Sequence, residues 1–199
     1  MPPSVKASSL AAFDARFAAV LVGLGLDQCG GYVTALSGGP DSTALALLSQ
    51  RYADAVGKHH HAVIVDHGLR GGSGNEARRV QTRLRRFGID SNIIQITEPR
   101  PTAGLQEWAR INRHQALLSA ARQRKAALFF AHHASDQAET VAMRLLKSSG
   151  LNGLGGIACH RIQHDVVVAR PVLGWMPDEL KAVCHHLDCD FEIDPSNQS

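Results

Sequence analysis

An α/β fold, a parallel sheet with helices on both faces, is predicted by three features of the 199-residue chain. Short apolar runs alternate with amphipathic stretches through roughly the first three quarters of the sequence. Several of the runs are apolar almost throughout, as strands buried on both sides must be. A glycine-rich turn joins the first run to the stretch after it, as in a strand–turn–helix unit. In order, the pattern predicts a helix over Val5 to Leu24, a strand at Gly31 to Leu36 (GYVTAL), and an Ala/Leu-rich helix from Ser42 to Tyr52. HAVIVDHG (His61 to Gly68) is a second strand, and Asn75 to Phe87 a helix with an arginine-rich face. SNIIQI is a third strand, followed by a long helix, Gly104 to Gln123, with Trp108, Ile111, Leu117 and Leu118 on one side. AALFFA is a fourth strand and Ser135 to Lys147 a helix. After Gly150 come the turn-rich GLNGLGGI, a hairpin over IACHRIQHDVVVARPV, a helix from Pro177 to Leu187 with proline in its first turn, and a last strand, CDFEI.

Composition narrows the class. With 44% hydrophobic and 20% charged residues the chain is neither disordered nor collagen-like. The longest apolar candidate, around Ala15 to Leu26, contains Arg16, so no membrane span is expected. The first residues, MPPSVKASSLAAFDARF, contain no long apolar core before a cleavage site, which predicts a cytoplasmic protein. Cys29, Cys159, Cys184 and Cys189 form no CxxC pair and are expected to be small hydrophobes. His59-His60-His61 runs into a strand whose side chains alternate faces, so it is not read as a metal site.

The formal charge of +3 conceals a segregation. Residues 76–125 carry eleven Lys/Arg against four acids, a net +7 that leaves −4 for the remainder. On charge alone this middle is either a surface for a polyanion or an ordinary solvated helix face.

The most informative string is ALSGGPDSTALALL, Ala35 to Leu48. Between a strand and a helix, Ser37, Gly38 and Gly39 form a turn whose backbone N–H groups converge on an anion, with the positive end of the next helix behind them. Asp41 and Ser42 then sit where a carboxylate complements the dipole and a hydroxyl caps. Ordinary capped glycine turns share these traits, but the full SGGPDS string is rarer. It is neither GxxxxGK[ST] nor GxGxxG.

Ser37-Gly38-Gly39-Pro40-Asp41-Ser42 resembles the SGGxDS signature of the PP-loop ATP pyrophosphatases. Further strings resemble one branch of them, the tRNA(Ile)-lysidine synthases. Val65 to Arg70 with Asn75-Glu76 is similar to VDHGLR…E, and Glu107 to His114 to EAARxxRY, with His114 where Tyr is usual. Ala131 to Thr140, Arg144-Leu145-Leu146 and Gly150 to Leu154 are similar to HHxDDQxETxxxRLLxGSGLxGL. Arg170-Pro171-Val172-Leu173 and Asp194-Pro195-Ser196-Asn197 continue the likeness. The resemblance implies a Rossmann-like PP-loop fold of the adenine nucleotide alpha hydrolase-like class. It further implies a ligase that uses ATP and Mg²⁺ to adenylylate the wobble cytidine of tRNA(Ile) with a CAU anticodon, and then joins free L-lysine at C2.

The same resemblance assigns the site. Ser37, Gly38, Gly39, Pro40, Asp41 and Ser42 hold the nucleotide phosphates, with Asp41 toward Mg²⁺, and Asp66 and His67 lie near the adenosine. Asp136 and Glu139, three apart at a helix start, share one face for the lysine ammonium. His133 meets phosphate or the adenylate, and Arg110 and Arg113 neutralise negative charge. Ser135 departs from the family's DDQ string. The chain is expected to be one catalytic domain, a core over about 1–150 and an extension over 151–199. It ends before the RNxxR-type segment of family members, so it is expected to be cut at its C-terminus. Oligomeric state is not legible, although the resemblance allows a homodimer. Two other readings stay open: another PP-loop activity, such as tRNA thiolation or amide synthesis, and a nucleotide-binding module without catalysis.

Overall fold

The structure, a computed structural model, describes residues 9–69, 72–146 and 156–192. Among the described residues six strands form one sheet in the order β3-β2-β1-β4-β6-β5. They are β1 (Gly31–Leu36), β2 (His59–Asp66), β3 (Ser91–Gln95), β4 (Ala127–Phe129), β5 (His160–Gln163) and β6 (Val166–Ala169). All pairings are parallel except the edge hairpin β5–β6. Its two-residue turn, His164-Asp165, has positive φ at both positions (48° and 63°), the geometry that matches the twist of a tight hairpin.

Among the described residues there are six α-helices: α1 (Leu10–Gly23), α2 (Pro40–Val56), α3 (Ser73–Arg85), α4 (Leu105–Gln123), α5 (Ala134–Leu146) and α6 (Pro177–His186). On one face α1, α2, α3 and α6 pack through Phe13, Phe17, Leu45, Val80, Leu84, Leu180 and Val183 onto Tyr32, Ile64 and Phe129. On the other, α4 lays Leu117, Leu118 and Ala121 on Val33, Val63, Leu128 and Val168. Each fully buried Leu, Val, Ile or Phe side chain among these contributes about 1.5–3 kcal/mol. Because β1 leads to β2 on one side while β4 lies on the other, the loops leaving β1 and β4 part at a crevice, where open α/β sheets bind ligands.

Several boundaries move, each for a local reason. The first helix begins at Leu10, because Ser9 caps it by accepting the Ala12 N–H at 3.3 Å; Val5 itself lies outside the described residues. The second helix starts at Pro40, whose missing N–H costs nothing at a helix start, and ends at left-handed Gly57. Ile111 faces solvent, 43% exposed, so the inward stripe of α4 is narrower than expected. Over CDFEI no strand forms among the described residues: Cys189 to Glu192 run irregularly, and the Glu192 N–H bonds to the Gly38 carbonyl instead of a neighbouring strand. Arg70, Gly150 to Leu154 and Asp194 to Asn197 lie outside the described residues. Among the described residues no helix is long and apolar enough to cross a membrane.

Candidate active site

The turn after β1 is built from backbone and small side chains. Gly38 takes φ +92°, and a Cβ there would stand 2.8 Å from Val80 Cγ2 of α3, so only glycine fits. Ser42 ties the turn together: its Oγ accepts the Ser37 N–H at 3.1 Å, lies 3.0 Å from Ser37 Oγ and donates to the Gly39 carbonyl at 3.2 Å. Gly39 is the N-cap of α2, and Pro40 and Asp41 open the helix. The first-turn amides of a helix have no intrahelical acceptor, so this end presents positive charge to an anion. Cys184 Sγ of α6 reaches the Pro40 carbonyl at 3.6 Å and supports the turn from below.

Across the crevice, the end of β4 delivers two histidines and an acid. The Asp136 Oδ2 accepts the His133 backbone N–H at 2.8 Å and lies 3.4 Å from His133 Nδ1. His133 Nε2 lies 3.6 Å from Asp41 Oδ2, so the imidazole stands between two carboxylates contributed by different loops. His133 Nδ1 is buried and makes no hydrogen bond. Burial raises the Asp41 carboxyl above its ordinary range; the nearby His133 opposes the shift and the charge of Asp136 adds to it. A cation at Asp41 would reverse this. His132 is pushed down, first by burial and then by the Arg170 guanidinium, whose Nε donates to His132 Nδ1 at 3.2 Å. The neutral ring therefore carries its proton on Nε2.

The structure thus gathers Asp41, His133 and Asp136 beside the Ser37–Ser42 turn, while Glu139, Arg110 and Arg113 are exposed. Glu139 is exposed one turn along α5. Arg110 forms an exposed fork with Glu107, at 2.6 and 2.7 Å, and exposed Arg113 is felt electrostatically by His132. Asp66 ends β2 and His67 follows it; Asp66 Oδ1 accepts the Gly68 N–H at 2.9 Å and His67 Nδ1 the Leu69 N–H at 3.3 Å. Arg78, Arg79, Arg83 and Arg86 line a cleft of about 370 Å³ with Phe87 and Asp190. Of these, Arg83 also donates to Glu192 Oε1 at 2.9 Å, with its side chain only 19% exposed. Three supports escaped sequence reasoning: Arg170 behind His132, Cys184 under Pro40, and Glu192 on Gly38. The Arg170-Pro171 string marked the first; nothing local marks the other two.

Among the described residues no three His, Cys, Asp or Glu side chains converge on one ion position. His60 is buried, hydrogen-bonded to Thr34 and Gln50 at 3.0 Å each, and His61 bonds Asn92 at 2.7 Å. All four cysteines are free.

A glycine turn and helix N-terminus at the switch point of a parallel sheet, faced by an acid–imidazole–acid array, have the features of a site for a phosphate-bearing ligand. The chain belongs to the family of the PP-loop domain, whose model matches residues 13–199. It is 42% identical over 175 residues to a tRNA(Ile)-lysidine synthase of Methylobacterium nodulans, covering 87% of this chain and 51% of that protein. To the tRNA(Ile)-lysidine synthase of a Bradyrhizobium species it is 40% identical over 167 residues, 82% of this chain and 47% of the relative. The chain therefore spans about half the length of these relatives. Among solved structures it resembles the U34-tRNA thiolase NcsA of Methanococcus maripaludis, which holds a [4Fe-4S] cluster (TM-score 0.75, 19% identity, 94% of this chain and 68% of that one). An NH3-dependent NAD synthetase of Campylobacter jejuni is similar at TM-score 0.59 and 18% identity, over 92% and 75% of the two chains. At such identities these likenesses speak for the fold alone.

Proposed function

We propose that the chain is the ATP-dependent catalytic part of a tRNA(Ile)-lysidine synthase. The observation that carries the reading is the Asp41–His133–Asp136 array beside the glycine turn, within a sequence about 40% identical to lysidine synthases. In the first step O2 of the wobble cytidine attacks the α-phosphorus of ATP; the bond to the bridging oxygen breaks and pyrophosphate leaves. The turn amides and the α2 N-terminus take the departing phosphates. Asp41 is the residue to hold Mg²⁺, which neutralises those phosphates when bound. One carboxylate fits that role, since Mg²⁺ keeps most of its ligands as water and phosphate oxygens. In the second step the ε-amine of lysine attacks C2, the C2–O bond breaks, and AMP leaves while the new C–N bond sheds its protons. Asp136 and the exposed Glu139 orient the lysine, and Arg110 and Arg113 face the negative charge of adenylate and RNA. The work is done in the cytoplasm.

A thiolase reading is less well supported. Cys184 and Cys189 are buried, one under the glycine turn, while Cys29 and Cys159 lie elsewhere. The test is direct: incubate the chain with ATP, Mg²⁺, radiolabelled lysine and a tRNA(Ile) transcript bearing CAU. Lysine should enter the RNA with AMP and pyrophosphate released in equal amounts. Nucleotide binding with no pyrophosphate release would leave a module without catalysis and sink the ligase reading.

A further inference from the structure

We infer that Glu192 is a positioning residue that sets the orientation of the phosphate-facing amide in the glycine turn; the inference rests on the proposed ATP-binding role of that turn. Its backbone N–H donates to the Gly38 carbonyl at 2.9 Å, a shorter bond than the 3.4 Å one from Thr43 Oγ1 to the same oxygen. A peptide unit is planar and trans, so its C=O and N–H point in opposite directions. Holding the Gly38 carbonyl toward Glu192 therefore turns the Gly39 N–H the other way, to the inside of the turn, where it lies 3.5 Å from Ser37 Oγ. Were the Gly38–Gly39 peptide to rotate, the turn would present a carbonyl oxygen to the incoming phosphate. With glycine on both sides of that bond, side chains do little to resist rotation.

The residue is itself anchored. Glu192 Oε1 accepts from Arg83 Nη2 at 2.9 Å, with Arg79 Nε at 4.0 Å. The Arg83 side chain is only 19% exposed, and its Nη1 is buried without a hydrogen bond, so removing the carboxylate would strand a half-buried cation. Upstream, the segment is fixed by the Cys189 N–H on the Cys184 carbonyl at 2.9 Å and by Phe191 against His185 at 5.9 Å. Gly38 thus packs closely against both Val80 of α3 and the Glu192 side chain.

A purely structural ion pair would weaken every ligand alike when broken; a positioning role is selective for phosphate. The test measures ATP (with Mg²⁺) and adenosine affinities of the full chain by calorimetry for Glu192→Ala, Arg83→Met and the double variant, well below their melting temperatures. Each single change should weaken ATP by about tenfold and adenosine by less than about twofold, and the double variant should be no worse than about twofold beyond either single, because both act through one ion pair. Glu192→Gln keeps an acceptor for Arg83 and should shift the ATP-to-adenosine ratio by only about threefold; it serves as the readout should Glu192→Ala not fold. Equal losses for both ligands, or an unchanged ATP affinity, would overturn the inference while leaving the ATP reading intact. A wild-type chain that binds no ATP would overturn both.

Discussion

The two sides of the crevice are made differently. The β1–α2 side is backbone, glycine and short hydroxyls, closed by 3.0–3.5 Å hydrogen bonds and packed against Val80 and Glu192. The α4–α5 side is made of long charged side chains, of which Glu139, Arg110 and Arg113 are exposed. The contrast matches the two tasks of the proposed reaction. Phosphates would be the same in every turnover and reward a preorganised cradle. A large RNA and a free amino acid would have to enter and leave, and adjustable arms suit them. His133, between Asp41 and Asp136, is where the rigid side touches the adjustable one.

Breaking the rigid side should have the largest effect. Gly38→Ala places a β-carbon at φ +92° and into Val80. Pyrophosphate release should fall by more than about 100-fold and the melting temperature by about 4–10 °C. Adding Val80→Ala should restore part of the stability and little of the activity; full recovery of activity would show that space, not backbone geometry, matters there. The next effect separates the acids. Asp136→Asn, which disturbs the pairing with His133, should depress both pyrophosphate release and lysine transfer by at least about tenfold. Glu139→Gln should raise the lysine KM by about tenfold with pyrophosphate release nearly intact. Equal behaviour of the two variants would show that the contact with His133 does not set Asp136 apart from Glu139.

A smaller effect is expected on the arginine face. Neutralising Arg78, Arg79 and Arg86 should lower RNA affinity and reduce the salt slope by about 0.7–0.9 for each phosphate no longer neutralised. Arg122, 3.8 Å from Asp165 at the far end of α4, is the control. An unchanged slope would return α3 to the status of a solvated face. The smallest effect lies outside the site. Burial holds His60 neutral, its pKa lowered to about 3. The unfolded chain takes up a proton near pH 6.5 that the folded chain refuses, so this residue's contribution to stability is complete above about 6.5 and is lost as pH falls toward 3. His60→Gln should flatten the acid limb of a Tm–pH curve by about one proton, roughly 1.4 kcal/mol per pH unit; an unaltered limb would place the proton uptake elsewhere.

What could be read from the sequence divides along the same line. The cradle was legible because SGGPDS is local: the turn, the helix start and the Ser42 hydroxyl all lie within six residues, although that hydroxyl ties Ser37 to Gly39 rather than capping α2 as expected. The sheet was legible because doubly buried strands such as GYVTAL are nearly uniform in hydrophobicity. Charge was less informative. Five arginines of α3 and its end look alike in sequence, yet among those lining the cleft Arg83 is only 19% exposed and paired at 2.9 Å with Glu192, while Arg79 is 63% exposed. Periodicity does not tell which acid, 109 positions away, one of them will meet. CDFEI failed for a related reason: its pattern suits a strand, but its hydrogen bonding goes to the glycine turn. Ile111 sits on the rim of the α4 stripe, where helical spacing alone does not separate buried from exposed.

The division of labour across the crevice is tested most directly by pyrophosphate release in the absence of lysine. With ATP, Mg²⁺ and a tRNA(Ile) anticodon stem-loop bearing CAU, the wild-type chain and Glu139→Gln should each release about one equivalent and stop, leaving an adenylylated RNA that added lysine discharges in the wild type. No release until lysine is present, or loss of the burst in Glu139→Gln, would contradict the assignment of one side to phosphate and the other to the amine.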